Sequence, residues 1–288
     1  MRRDFQIVGV VNVTPDSVSD GGRFVEPDAA VAQARRLASE GADLVDIGGE
    51  STRPPGVSGP DDPGAAPVSA ADELRRVLPV IERLATGDLA ARISIDTHKR
   101  PVAEAAVDAG ASFVNDVTAL RGDPGMVGLV ADRGLECCLM HMLGQPRTMQ
   151  DDPRYDDVVD DVRAFLEERL AFAVGQGVPE ERVMLDPGIG FGKTREHNLE
   201  LLRRLDEIAA IGRPVVVGTS RKSFLGAVTG RPVDERLAAT IATNVLAWER
   251  GASVFRVHDV APVRDALAMA AATVRSPWPR TTSTATTG

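Results

Sequence analysis

Ten residues of the kinds that bind charged or donor-rich ligands stand at or near the ends of short apolar runs: Asn12, Asp46, Asp96, Asn115, Asp116, His141, Asp186, Ser220, Arg256 and His258. Arg256 and His258 lie two apart, so on a strand both project to one side. Two cationic donors together suit an anion, a phosphate or a carboxylate; spacing equally allows Arg256 to neutralise a neighbouring aspartate. Asp96 and Asp186 would be costly to bury without partners, and a heterocycle rich in N–H groups would supply them. The plainer alternative, open also to Asp46 and Asp116, is capping of the helix that follows. Asp186 begins the segment DPGIGFGKT, whose Gly-Lys-Thr ending suggests a phosphate loop. The glycine such a loop needs five positions before Gly192 is Pro187, which leaves a turn shaped by glycine. The histidines, His98, His141, His197 and His258, show no metal-ligand spacing, so a protein-built metal cage is not expected. His197 stands at an apparent helix start and reads as a cap or surface residue.

The elements that must position these groups follow from periodicity. Eight short, near-continuous apolar runs are IVGVVNV (7–13), LVDIGG (44–49), RISIDT (92–97), FVNDV (113–117), ECCLMHM (136–142), VMLDPG (183–188), PVVVGTS (214–220) and VFRVHDV (254–260). Such runs suit strands buried on both faces of a parallel sheet. Segments between them, among them 28–40, 70–85, 158–174, 198–211 and 234–250, carry apolar residues at helical spacing. Eightfold alternation of strand and helix predicts a closed (β/α)8 TIM barrel, in which the loops after the strands carry the chemistry.

The chain has 288 residues, 43% of them hydrophobic, and no Pro/Gly/Ser linker divides it, which predicts one barrel domain over 1–275. Residues 276–288 are polar and aperiodic and are expected to form a disordered tail. A net charge of -9 and a pI near 5.1 argue against nucleic acid and anionic membranes as partners and leave a small molecule. With no membrane-length apolar run and no secretory leader pattern, a cytoplasmic protein is expected. The two cysteines, Cys137 and Cys138, are adjacent within one strand and face opposite ways, which disfavours a disulfide or a zinc site. Two stretches, Thr14 to Pro27 and Ser51 to Ser69, are too long for ordinary connections and predict mobile loops after strands one and two.

In order along the chain, NVTPDSVSDGG, DIGGESTRP, SIDTHK, NDV, MHMLGQPRTMQ, DPGIGFGKT with HNLELL, GTSRKSFLG and RVHDV resemble dihydropteroate synthases. The resemblance implies a transferase of folate biosynthesis. It would condense 6-hydroxymethyl-7,8-dihydropterin diphosphate with 4-aminobenzoate, by an SN1-like route, to 7,8-dihydropteroate and diphosphate. It implies that Asp186, Asp96 and Asn115 take the pterin's donor edge and that Lys222 reaches its carbonyl side. Arg256, His258 and Asn12 would hold the diphosphate, with Asn12 contributing to Mg²⁺. Thr52, Arg53, Pro54, Ser220, Lys222 and Val18 would shape the aminobenzoate site, and Asp16 lies on the first loop, which closes over the leaving group. Catalytic roles would fall to Asp96, Lys222, Arg256, His258 and Asp16. The family is commonly homodimeric through helices near the carboxyl end, where 263–274 is rich in alanine.

Two departures matter. Val18 stands where the family usually has phenylalanine, which implies weaker apolar enclosure of aminobenzoate and reduced sensitivity to the sulfonamides that imitate it. Leu143 replaces a usual glutamine and affects local loop contacts. Strand one starts almost at once, so a hairpin on the barrel floor, present in some relatives, is not expected. A methyltetrahydrofolate-dependent methyltransferase would share the pterin aspartate and asparagine but would need neither the STRP loop nor the SRK and RVH groups. A catalytically silent pterin-binding paralogue is the other alternative; Asn12, Arg53, Lys222, Arg256 and His258 speak against it.

Overall fold

The computed structural model describes residues 5–14, 27–52 and 64–274. Eight strands alternate with ten helices among those residues: β1 (Gln6–Asn12), α1 (Pro27–Ser39), β2 (Leu44–Gly48), α2 (Ala70–Ala85), β3 (Arg92–Asp96), α3 (Arg100–Asp108), β4 (Phe113–Asp116), α4 (Met126–Asp132), β5 (Glu136–Met140), α5 (Val158–Gly175), β6 (Val183–Asp186), α6 (Arg195–Arg203), α7 (Leu205–Ala209), β7 (Val216–Val217), α8 (Ser223–Thr229), α9 (Leu237–Glu249), β8 (Val254–Val257) and α10 (Val260–Val274). All paired strands are parallel, in the order β6-β5-β4-β3-β2-β1-β8-β7. One bridge, Leu185 to Val215, brings β6 to β7 and nearly closes the barrel. The fold is the TIM barrel expected from the alternation.

Side chains alternate between two cores, as the strand period requires. Outward residues such as Ile7, Val45, Ile47, Ile95, Val114, Leu139, Leu185 and Phe255 pack under the helices with Leu37, Val77, Ile81 and Leu84. Inward residues Val8, Leu44, Phe113, Cys138, Met184, Val216 and Val254 plug the lumen. Cys137 and Cys138 fall on opposite sides of that division, both as free thiols. Above the plug the inward positions become polar, and the site begins there.

Three expectations needed correction. The helix read over 198–211 is two: Thr194 caps α6 in a capping box with His197, and the chain breaks at Arg204, whose guanidinium binds Asp157, Glu200 and Glu207. The run 214–220 yields only a two-residue β7, with Val215 held in the isolated bridge before it. The segment 234–250 opens with a 3-10 turn, Val233–Glu235, ahead of α9. The loops at 15–26 and 53–63 and the tail at 276–288 lie outside the described residues. No helix among the described residues is long and apolar enough to cross a membrane.

Candidate active site

The floor of the site is a buried polar cluster drawn from four strands. In register, Asp46 of β2 stands beside Ser94 of β3, and Asp96 beside Asn115 of β4, all inward. Asp46, with no exposed surface, accepts hydrogen bonds from Ser94 Oγ at 2.6 Å, Asn115 Nδ2 at 2.9 Å and Arg256 Nε at 2.7 Å. Arg256 Nη2 donates to Asp96 at 2.8 Å. Asp46 is therefore not a cap but the anchor that fixes Arg256 and Asn115, a role its position inside a strand did not disclose. Burial pushes the Asp96 carboxyl up to about 7, against the pull of Arg256 and with a further push from Asp46. Burial would lower the Arg256 guanidinium, but Asp46 and Asp96 outweigh it and hold it above its ordinary value.

One wall is the turn after β6. Asp186, 7% exposed, accepts the Gly188 amide at 2.7 Å, and burial raises its carboxyl despite Lys222 nearby. Lys222 donates to the Ile189 carbonyl and lies 4.6 Å from the centroid of the Phe191 ring, a cation–π contact. Burial lowers its ammonium to about 8, with Asp186 resisting and Arg256 adding to the fall. Only glycine fits two positions of this turn. A Cβ on Gly188 (φ 66°) would lie 1.8 Å from the His141 carbonyl oxygen, and one on Gly192 (φ 62°) 2.7 Å from that of Leu143. The turn is thus pressed against the backbone after β5.

His141 faces away from the mouth. It is buried, its Nδ1 lies 2.9 Å from Lys193 Nζ, and Phe165 meets its ring edge-on. Burial and the Lys193 charge lower its imidazole to about 2. Lys193 also donates to Phe191 O at 3.0 Å, Tyr155 Oη to Gly192 O at 2.6 Å and Gln150 Nε2 to Gly190 O at 2.7 Å. The Gly-Lys that mimicked a phosphate loop is a buried brace for the Asp186 turn.

The adjoining wall joins the ends of β7 and β8. Ser220 Oγ accepts the His258 amide at 3.2 Å and lies 3.0 Å from His258 Nδ1. Burial, Arg256 and Arg221 lower the His258 imidazole to about 4, so Arg256 and a neutral histidine replace the two cations expected from spacing. Between Ser220 and Lys222, Arg221 is held at φ 58°, a strained value for a side chain of its size. A bidentate pair with Asp259 at 2.6 and 3.0 Å holds it, with Arg236 on its carbonyl and Thr240 on its amide. Asp259 was missed from sequence; its signal was proximity to the Arg256–His258 pair.

Asn12 ends β1 at the rim, and Thr52 opens on a cleft of about 460 Å³ bordered by His98, Thr118, Arg121 and Gln145. Asp116 caps no helix either: it closes the turn after β4, accepting the Thr118 and Leu120 amides at 2.7 and 3.1 Å, while α4 begins ten residues on, after Gly125. Leu143 is 37% exposed. Asp16, Val18, Arg53 and Pro54 lie outside the described residues. Among the described residues no group of three or more His, Cys, Asp or Glu could hold a metal ion.

A parallel barrel whose mouth sets carboxylates, an asparagine amide and two cations above an apolar plug defines a (β/α)8 enzyme for a flat, donor-rich ligand bearing anionic charge. The model of the pterin binding enzyme family matches residues 8–258. The chain is 42% identical over 271 residues to the dihydropteroate synthase of Haemophilus influenzae, covering 94% of each. It superposes on the dihydropteroate synthase of Xanthomonas albilineans with 4-aminobenzoic acid at TM-score 0.85 and 48% identity, over 94% of each chain. The structure of the Xanthomonas albilineans enzyme in complex with 7,8-dihydropteroate gives TM-score 0.83 and 45% identity, over 95% of each. The chain belongs to the pterin-binding enzyme family, as a dihydropteroate synthase. Its activity is accordingly that of a transferase in folate biosynthesis.

Proposed function

We propose that the barrel mouth joins 6-hydroxymethyl-7,8-dihydropterin diphosphate to 4-aminobenzoate. The observation that carries this reading is the meeting of Asp186, Asn115, Asp96 and Lys222 around one mouth, with Arg256 fixed between them. The pterin's amino group and ring N–H donate to Asp186, with Asn115 and Asp96 along the rest of that edge, while Lys222 donates to the ring carbonyl. Phe191, already beside Lys222, packs on the ring.

The bond between the methylene carbon and the diphosphate oxygen breaks first, and its electron pair leaves with diphosphate. The electron-rich ring delocalises the positive carbon, and the buried carboxylates stabilise it electrostatically. The aminobenzoate nitrogen then donates its lone pair, forms the C–N bond and loses a proton. Arg256, His258 and Asn12 receive the diphosphate; Arg256 uses Nε and Nη2 on Asp46 and Asp96, which leaves Nη1 for the ligand. Neutral His258 contributes one N–H, its other nitrogen facing Ser220. Asn12, whose side-chain amide oxygen is a hard ligand at the end of β1, would hold a Mg²⁺ carried by the diphosphate. When bound it would neutralise charge on the leaving group.

Thr52, Arg53, Pro54, Ser220 and Val18 are assigned to aminobenzoate and Asp16 to the leaving group on the strength of their motifs. Val18→Phe should lower the aminobenzoate KM and the sulfonamide concentration for half-inhibition by about five- to thirtyfold, from ~1 to 2 kcal/mol of regained apolar contact. Equal inhibition of the two proteins would remove that assignment. The enzyme works in the cytoplasm as a homodimer through α9 and α10, whose outer faces expose Leu246, Met269 and Val274. The test of the whole reading follows diphosphate and dihydropteroate together, with Mg²⁺, with and without aminobenzoate. Aminobenzoate-dependent dihydropteroate supports it; pterin binding without product would instead mark a silent paralogue.

A further inference from the structure

The connection after β2, which brings Thr52 to the site, is tied down at both ends by one carboxylate. Glu50 stands just before the connection, and its Oε1 accepts the amide of Val68, just before α2, at 3.0 Å. A loop closed in this way has its end-to-end freedom removed by a single side chain. Glu50 is held in turn by Lys99, the residue preceding α3, whose Nζ donates to Glu50 Oε2 and to Glu73 Oε2 on α2. Glu73 has no exposed surface, its Oε1 has no hydrogen-bond partner among the described residues, and Lys99 is the one cation that pairs with it among them. Arg76 of α2 donates to the Gly49 carbonyl at 2.8 Å, and a Cβ on Gly49 would come within 2.9 Å of both Val77 and Glu73. The end of β2 is therefore pressed onto α2 beside this cluster. Burial alone would lower the Lys99 ammonium, but its bonds to the two glutamates outweigh that and raise it.

None of the three side chains hydrogen-bonds to the floor cluster or to the Asp186 turn; the Glu73 charge alone reaches it, adding to the rise of the Asp96 carboxyl. Their contacts run to the β2 connection and to the helix behind it. We propose that Lys99, through Glu50 and Glu73, is the positioning residue for the aminobenzoate half of the reaction, holding Thr52 in place and acting on the pterin half only through the Glu73 charge. The proposal rests on the assignment of aminobenzoate to the connection that begins at Thr52. Two glutamates compete for one ammonium in a partly desolvated place, so removing Lys99 leaves like charges facing each other and drives Glu50 outward, releasing Val68.

The experiment measures steady-state kinetics with each substrate varied in turn, for the wild type, Lys99→Met, Lys99→Arg and Thr52→Ala. The Lys99→Met/Glu73→Gln double variant removes the buried charge together with its partner and keeps the test open should the single variant not fold. Expected are an aminobenzoate KM raised at least about tenfold in Lys99→Met and in the double variant, a pterin diphosphate KM that moves several times less, and recovery in Lys99→Arg. A rise in both KM values by the same factor would mark a general structural role and overturn the proposal. An aminobenzoate KM that moves in Thr52→Ala but not in the Lys99 variants would also overturn it, with the site assignment intact. If neither Thr52→Ala nor the Lys99 variants move it, the assignment and the proposal fall together.

Discussion

Lys222 shows how far the work of one residue depends on its surroundings. Its ammonium stands beside Asp186, above Phe191 and within reach of Arg256's field, and burial brings it down to about 8. Below that pH it presents a charge to the pterin carbonyl; above it, a neutral amine. Affinity for pterin diphosphate should therefore fall as pH rises through about 8. In Lys222→Arg, whose side chain stays charged, that break should vanish. Calorimetric titration between about pH 6.5 and 9.5 decides it, and a wild-type affinity flat across the range would show that Lys222 does not titrate on the ligand. The lysine was legible from the SRK motif; the shift was not, because it arises from groups 30 or more positions away in sequence that only the closed barrel brings near.

At the scale of elements, the turn after β6 and the backbone after β5 behave as one piece. Gly188 and Gly192 meet carbonyl oxygens of His141 and Leu143, and Lys193, Tyr155 and Gln150 bond the turn from behind. A methyl group on Gly188 cannot be absorbed by a side-chain movement, because the atom it meets is backbone and the φ of 66° is itself unfavourable for alanine. Gly188→Ala should cost about 2 to 4 kcal/mol of stability and, at temperatures where the variant remains folded, weaken pterin binding through displacement of Asp186. Denaturant melts and pterin titration check this; a variant as stable as wild type would show that the turn can move. The sequence exposed the glycines and the turn. It could not say that the lysine following them braces the turn rather than binding phosphate, since that depends on His141 arriving from another strand.

Over the whole molecule, an acidic chain folds around buried carboxylates, and this sets its response to pH. The Asp96 carboxyl is raised from an ordinary value near 4 to about 7, so the fold favours its protonated form. That contribution is fully present below about pH 4 and is lost as pH rises through 7. The stability of the wild type relative to Asp96→Asn, whose side chain stays neutral, should fall by about 3 kcal/mol between those limits. Urea melts at both pH values measure it, and a constant difference would place the proton elsewhere in the cluster.

The sequence by itself determined the barrel and the family, because short apolar runs ending in polar residues need only local alternation to be read, and the ordered motifs stand in one chain. It left open whether Arg256 faced a ligand or an aspartate, whether Asp46 capped a helix, and whether His258 carried charge. Tertiary structure decided these. Arg256 bridges Asp46 and Asp96 across three strands, Asp46 is sealed beneath it, and His258 is held neutral by burial beside Arg256 and Arg221. Hydrogen bonds and desolvation act over a few ångströms in space, and residues 210 apart in the chain become neighbours only when the lumen closes.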